Sequence, residues 1–370
     1  MKIQLSPRQI VFLTGNTVVS SSLVVLPQGI VDMALQNSWF VPFFIMVYMA
    51  FIILLGLIGT KNVHTFDNLF SEENSSKKQK IAALLFIIFI FHVLFRDLRI
   101  LSAFVESTLL PLTPLFIITL IILICSLYIA SLGIEVIVRF TELHFIIFIG
   151  VILFVPISLV EQIRLENFEP LISVDVIPSM FQSAYIGMAW FGEVIIVFLL
   201  LSMIKPIKKL RRAIILGGAT GLFCFSILIF SQLGVIGSEI VRYSTYPTYT
   251  LVQQIRITEF LDRLDLALVT LYLPTIFSKF ALFIYALHRA WSLLWKNSIK
   301  ITMVPLALIA GILSIVIFGN KGDKYEFQIY TWATLSITLQ ILLAIMTLMM
   351  IKDSKKSQKN ANDNNTGINI

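Results

Sequence analysis

The sequence predicts an all-α integral membrane protein of ten transmembrane helices, arranged as two inverted halves of five with broken first and sixth helices. Three observations predict it. Hydrophobic residues make up 58% of the chain and charged residues 13%, with a mean hydropathy of +0.91, far from the mixture found in a water-soluble domain. Ten apolar stretches are each long enough to cross a hydrocarbon core, which takes about 20 residues of helix. Two of them, the first and the sixth, are interrupted mid-span by small and polar residues, as in folds that place a ligand site between inverted repeats.

The spans fall near 10–34, 38–59, 81–106, 113–138, 140–163, 179–204, 213–235, 266–289, 300–319 and 327–351. The first is a retained helix rather than a signal peptide, because it is long, polar in its middle and lacks a small-residue cleavage site. Its interruption runs from Thr14-Gly15-Asn16 through Ser20-Ser21-Ser22 to Pro27. The sixth is interrupted at Trp190-Phe191-Gly192-Glu193. Three loops exceed the minimum, at 60–80, 164–178 and 236–265, and the last is amphipathic, predicting short helices across the outer mouth. Residues 1–351 form one transmembrane domain, and 352–370, rich in Asn, Ser and Lys, read as a disordered cytoplasmic tail.

Charge sets the orientation, since cytoplasmic loops are enriched in Lys and Arg. With the N-terminus inside, Lys77, Lys78, Lys80, Arg139, Lys205, Lys208, Lys209, Arg211, Arg212 and the tail lysines all fall inside. Arg164, Arg242, Arg256, Arg263, Lys321 and Lys324 remain outside. Both termini are therefore predicted to be cytoplasmic, and the net charge of +7 is explained by anionic inner-leaflet lipid, with no nucleic-acid partner. Cys125 and Cys224 lie inside spans without metal-ligand spacing, and His64, His92, His144 and His288 form no metal motif. No cofactor or metal is expected. With no phosphate loop, dinucleotide fingerprint or nucleophile elbow in the chain, an enzyme is not expected either.

A helix that stops inside a membrane leaves backbone groups that protein, water or ligand must satisfy. The hydroxyls and freed N–H groups of Ser20, Ser21 and Ser22 suit a carboxylate, and the following half-helix adds its positive end. At the second break Gly192 permits a non-helical turn, Glu193 offers a partner for an ammonium group or a proton, and Trp190 and Phe191 flank it as a gate. The pair of breaks suits a zwitterion such as an amino acid; the alternative is that the serines serve close helix packing and Glu193 a structural pair. Ionisable residues inside spans are costly and are functional candidates by default: Arg96, Asp97, Arg99, Glu106, Glu135 and Lys279. Lys279, beside Ser278, is placed to stand in for a bound cation near the first break, or else to bridge to Glu193 or Asp97. Arg96 and Asp97, being adjacent, fall on different helix faces, so that one is expected to pair across helices while the other snorkels.

The first break, with Gly15-Asn16 and Ser20-Ser21-Ser22-Leu23-Val24-Val25-Leu26-Pro27, resembles that of the amino acid, polyamine and organocation transporters, with serines where that superfamily has glycines. The substitution predicts a less open unwinding. A narrower resemblance covers nearly the whole chain. Ser6-Pro7-Arg8-Gln9, the turn Leu109-Leu110-Pro111-Leu112-Thr113-Pro114, and Phe191-Gly192-Glu193 with Lys205-Pro206-Ile207-Lys208-Lys209 are similar to the permease-like B subunit of the GerA-type spore germinant receptors. So is Tyr246-Pro247-Thr248 followed by Glu259-Phe260-Leu261-Asp262-Arg263.

This resemblance implies a LeuT-like bundle in the inner membrane of a bacterial spore, sensing a small nutrient in complex with an A subunit and a lipoprotein C subunit. The function expected is a germinant-binding receptor subunit with Ser20, Ser21, Ser22, Trp190, Phe191, Gly192 and Glu193 at the ligand and Lys279 as cation surrogate. The alternatives are a proton-coupled amino acid transporter of the same fold, using Glu193 or Lys279, and a channel-forming subunit.

Overall fold

The structure, a computed structural model, describes residues 5–58, 70, 76–170, 174–200, 209–255, 264–295, 298–318 and 331–366. Among the described residues, helical backbone is found in each of the ten predicted segments. The first segment is α1 (Pro7–Val19) and α2 (Ser22–Ala34), and a 3-10 turn leads on to α3 (Val41–Leu57). There follow α4 (Lys77–Thr108), α5 (Leu115–Ser131) and α6 (Ile134–Ser158). The sixth segment is α7 (Ile177–Phe191), a 3-10 turn over Gly192–Ile195 and α8 (Ile196–Leu200). The rest is α9 (Leu210–Tyr243), the short α10 (Pro247–Val252), α11 (Leu264–Leu294), α12 (Met303–Val316) and α13 (Trp332–Thr366).

Local chemistry sets the ends. Ser6 and Gln9 form a reciprocal capping box at α1 with Pro7 in its first turn, and Ser76 and Gln79 do the same for α4. Gly133, at φ 97°, turns the chain between α5 and α6 in a conformation that L side chains avoid. Among the described residues, seven helical runs are long and apolar enough to cross a membrane, and α5 and the run Lys300–Val316 are shorter apolar helices. Phe116, Leu120, Ile121 and Ile124 lie exposed along α5; in a bilayer, such a stripe is simply the lipid-facing surface.

The interior is organised around the broken segments. α1 runs against α9, α2 against α7 and α9, and α11 against α4, α5 and α6. Small residues let α1 and α9 approach closely: a Cβ at Gly221 would lie 2.7 Å from the Gly15 carbonyl oxygen, and one at Gly217 would lie 2.5 Å from that of Val11. Backbone cannot yield there as a side chain would. Gly221→Leu is expected to cost about 3 kcal/mol or more by overpacking. Gly150→Ala, in α6 with nothing within 4 Å of the added carbon, should be neutral or slightly stabilising. Thermal unfolding of the two variants in one detergent checks the contrast.

One expectation meets a difference. Glu135, expected inside the fourth span, lies past the Gly133 turn at the start of α6, where it is exposed and paired with Arg139 at 2.6 Å, one helical turn on. The hydropathy of residues 113–138 is continuous across a turn that only the backbone reveals. Past Ile351, α13 runs on as helix to Thr366. The stretch 236–265 begins as an extension of α9, kinked at Gly237 (φ 79°), and continues as α10. Lys205–Lys208, Arg256–Arg263, Lys321 and Lys324 lie outside the described residues, as does most of 60–80.

Candidate functional site

At the first break the chain departs little from helical geometry. Ser20 (φ −57°, ψ −44°) and Ser21 (φ −89°, ψ −21°) both stay in the right-handed helical region, and the Ser20 N–H still donates to the Asn16 carbonyl at 3.1 Å. This is the narrow opening that serines in place of glycines predict. Its polar atoms are used unevenly. Ser22 Oγ donates to the Val19 carbonyl at 2.8 Å, the Ser20 carbonyl accepts from the Tyr272 hydroxyl, and Ser20 Oγ is buried without a partner. Asn16 Nδ2 donates to the Thr275 carbonyl at 3.0 Å, joining α1 to α11 beside the break.

The second break is a 3-10 turn rather than an open strand. Gly192 (φ −71°, ψ −8°) sits in ordinary helical space, so conformational freedom is not its role here. A Cβ in its place would fall 1.8 Å from Gln340 Oε1, and this space is what the glycine supplies. Gln340 in turn donates to the Ala189 carbonyl at 2.9 Å and accepts from Tyr48 at 2.7 Å, tying α13 and α3 to the end of α7. Phe191 packs edge-on against Phe225 of α9 at 5.3 Å between ring centroids.

Between the breaks four charged side chains converge. Arg96, Asp97, Glu193 and Lys279 are each at most 1% exposed. Lys279 Nζ donates to Glu193 Oε2 at 2.6 Å, to Asp97 Oδ2 at 2.8 Å and to Ser21 Oγ. Arg96 donates to Asp97 Oδ1 through Nε at 2.8 Å and Nη2 at 2.6 Å, and through Nη2 to Glu193 Oε1 at 2.7 Å. Each carboxylate thus bridges both cations, and the quartet sums to zero charge. The Arg96 guanidinium is clamped between the indoles of Trp190 and Trp332, with ring centroids 4.2 and 4.3 Å from Cζ. This compensates for Arg96 Nη1, which has no hydrogen-bond partner. Lys279 Nζ also lies 5.2 Å from the Phe283 ring centroid.

The structure therefore brings together Ser21, Glu193, Lys279 and Trp190 of the expected residues. It places Ser20 at the same break through its carbonyl, and turns Ser22, Phe191 and Gly192 to helix packing. The expectation for Arg96 and Asp97 is corrected: they bond to each other, and neither snorkels. Separate helix faces do not keep adjacent residues apart when one carries a side chain as long as arginine. Arg99 and Glu106, one and three turns further along α4, are partly exposed and lie outside the quartet. Tyr272 and Trp332 were not singled out by sequence. A signal for Tyr272 existed, because it precedes Lys279 by seven residues and so shares its face of α11. Among the described residues no group of three His, Cys, Asp or Glu side chains is placed to hold a metal ion.

The spore permease family model, described as Spore germination protein, matches residues 4–322. YfkT of Bacillus subtilis (strain 168) is 27% identical over 330 residues, covering 88% of this chain and 90% of that protein. Spore germination protein KB of the same organism is 24% identical over 382 residues, covering 96% and 98%. Among solved structures, the crystal structure of MhsT in complex with L-phenylalanine aligns at a TM-score of 0.52 and 12% identity, over 96% of this chain and 99% of that one. At that identity the likeness establishes the fold, a LeuT-like helical bundle, and nothing more.

Proposed function

The chain belongs to the spore permease family of spore germination proteins, and from that membership we propose that it is the nutrient-binding subunit of a spore germinant receptor. The observation that supports this most strongly is the neutral, fully buried quartet on Ser21 at the junction of the two breaks. An amino acid carries the same two charges as one pair of that quartet. Its ammonium group would take the place of the Lys279 ammonium at Asp97 or Glu193. Its carboxylate would take up the donors of Lys279, Arg96 and Ser21. Because charge is conserved, the exchange avoids leaving an unpaired buried ion, which is the costly outcome. MhsT, of like fold, is solved with L-phenylalanine bound, which makes amino acids the first class to test.

A ligand shifts a receptor only by its differential affinity for two arrangements. Here those are the locked quartet and the ligand-exchanged one, and the change would pass along α2, α7 and α11 to an A-type subunit and a lipoprotein C-type subunit in the spore inner membrane. Cytoplasmic termini are supported by the Lys and Arg bias. They are supported also by the pairs Arg8–Glu142 (2.7 Å) and Lys78–Asp353 (2.6 Å), which join segments assigned to the same side. The reading is tested with radiolabelled amino acids on purified chain and on chain in liposomes. Saturable binding without accumulation is expected, together with about a tenfold loss of affinity in Ser21→Ala. Saturable accumulation inside the liposomes would instead establish a transporter.

A further inference from the structure

Next to the first break lies a half-enclosed apolar cavity, about 570 Å³ when the open space of its mouth is included. Leu23 and Val24 of α2, Ile152 of α6, Leu228 of α9, and Val269 and Tyr272 of α11 are among its walls, and no charged side chain lines it among the described residues. Four hydroxyl-bearing residues line it, Tyr246, Thr248, Tyr249 and Tyr272, and the last three of these hydroxyls are committed to protein partners. Tyr272 donates to the Ser20 carbonyl, Thr248 donates to the Leu23 carbonyl at 2.6 Å, and Tyr249 donates to Asp265 at 2.7 Å. The lining is thus almost wholly apolar, hostile to a polar substituent and favourable to an apolar one.

The cavity also adjoins the break. The ring of Tyr272 is one of its walls while the hydroxyl of the same residue holds the Ser20 carbonyl, and Leu23 and Val24 are the residues immediately after the serines. A ligand whose charged head sits at Ser21 and the quartet has this space as the adjacent apolar volume.

We propose that the cavity receives the ligand's side chain, and that the ligand is an amino acid with a branched aliphatic or aromatic side chain. The inference rests on the break as head-group site and adds the side-chain class to it. A polar or charged side chain would enter a space whose lining offers its polar atoms almost no partners, whereas each extra methylene that fits is worth about tenfold or more in affinity.

The test is equilibrium binding to the purified full chain of L-leucine, L-isoleucine and L-phenylalanine against L-asparagine, L-glutamate and L-lysine. It is repeated on Val269→Phe, which fills the cavity, and on Val269→Leu, which adds one methylene and preserves folding if the larger change does not. The expected result is that the apolar amino acids bind at least tenfold more tightly than the polar ones, and lose at least tenfold in Val269→Phe and a smaller factor in Val269→Leu, while L-alanine changes less than twofold. Binding that ignores side-chain character, or that neither variant alters, would overturn the cavity assignment and leave the head-group site standing. So would equal affinity for 3-methylbutan-1-ol, which has the apolar group but neither charge, and which would mark the cavity as a place for a lipid chain. Failure of every amino acid to bind folded protein would overturn the head-group reading as well.

Discussion

Lys279→Met is expected to lower the stability of the chain by about 3–5 kcal/mol, the usual consequence of removing one partner from a buried ion pair. The variant leaves Asp97 and Glu193 facing each other with Arg96 as the remaining cation, at a position no more than 1% exposed. Ser21 Oγ loses its donor as well. Adding Glu193→Gln to Lys279→Met restores neutrality, because Arg96 and Asp97 remain as a closed pair. The double variant should therefore recover much of the loss, with a coupling between the two sites of about 0.5–3 kcal/mol. Thermal and denaturant unfolding of the two single variants and the double in one detergent measures both quantities. Equal unfolding temperatures for wild type and Lys279→Met would show that the four charges do not form a mutually dependent cluster.

Arg96→Lys should be nearly as damaging although it conserves charge. The guanidinium makes two bonds to Asp97 and one to Glu193 while its Cζ sits over the rings of both Trp190 and Trp332. An ammonium is a compact point charge that cannot fill a slot between two indole faces and fork to a carboxylate at once. Two lost cation–π contacts and at least one lost charged hydrogen bond give an expected cost of about 2–4 kcal/mol. Tryptophan emission supplies a second readout, since both indoles lose the cation between them. A variant with wild-type stability and unchanged emission would place the energetic weight of α4 elsewhere.

Much of this architecture was legible in the sequence, and particular residues show where legibility ended. Long apolar runs located the helices, because the membrane requires length and hydropathy together. Small and polar residues inside two such runs located the breaks, and the cost of burying charge pointed to Glu193 and Lys279. Arg96 and Asp97 were undervalued because spacing along a helix describes Cβ directions and not the reach of a guanidinium. Gly192 was assigned conformational freedom, but its partner is Gln340, distant in sequence, and what the glycine gives is room for that side chain. Glu135 was misplaced because the turn at Gly133 carries no change of hydropathy. The cavity at Tyr272 depends on six helices meeting in space, for which no single stretch of sequence holds a signal.

A single Glu193→Gln change is an ambiguous probe of ligand binding, since it leaves the quartet with one uncompensated positive charge and disturbs folding. The neutral double variant Glu193→Gln/Lys279→Met avoids this. The most direct measurement is a thermal-shift screen of purified wild type and this double variant against a panel of amino acids, with sugars and nucleosides as controls. A ligand that binds the native state stabilises it by mass action, by about 2.7 kcal/mol at a concentration of 100 times its Kd. The account predicts that one class of amino acid raises the unfolding temperature of wild type and has no effect on the folded double variant. An undiminished shift in the double variant would mean that the ligand sits away from the quartet, and would contradict it.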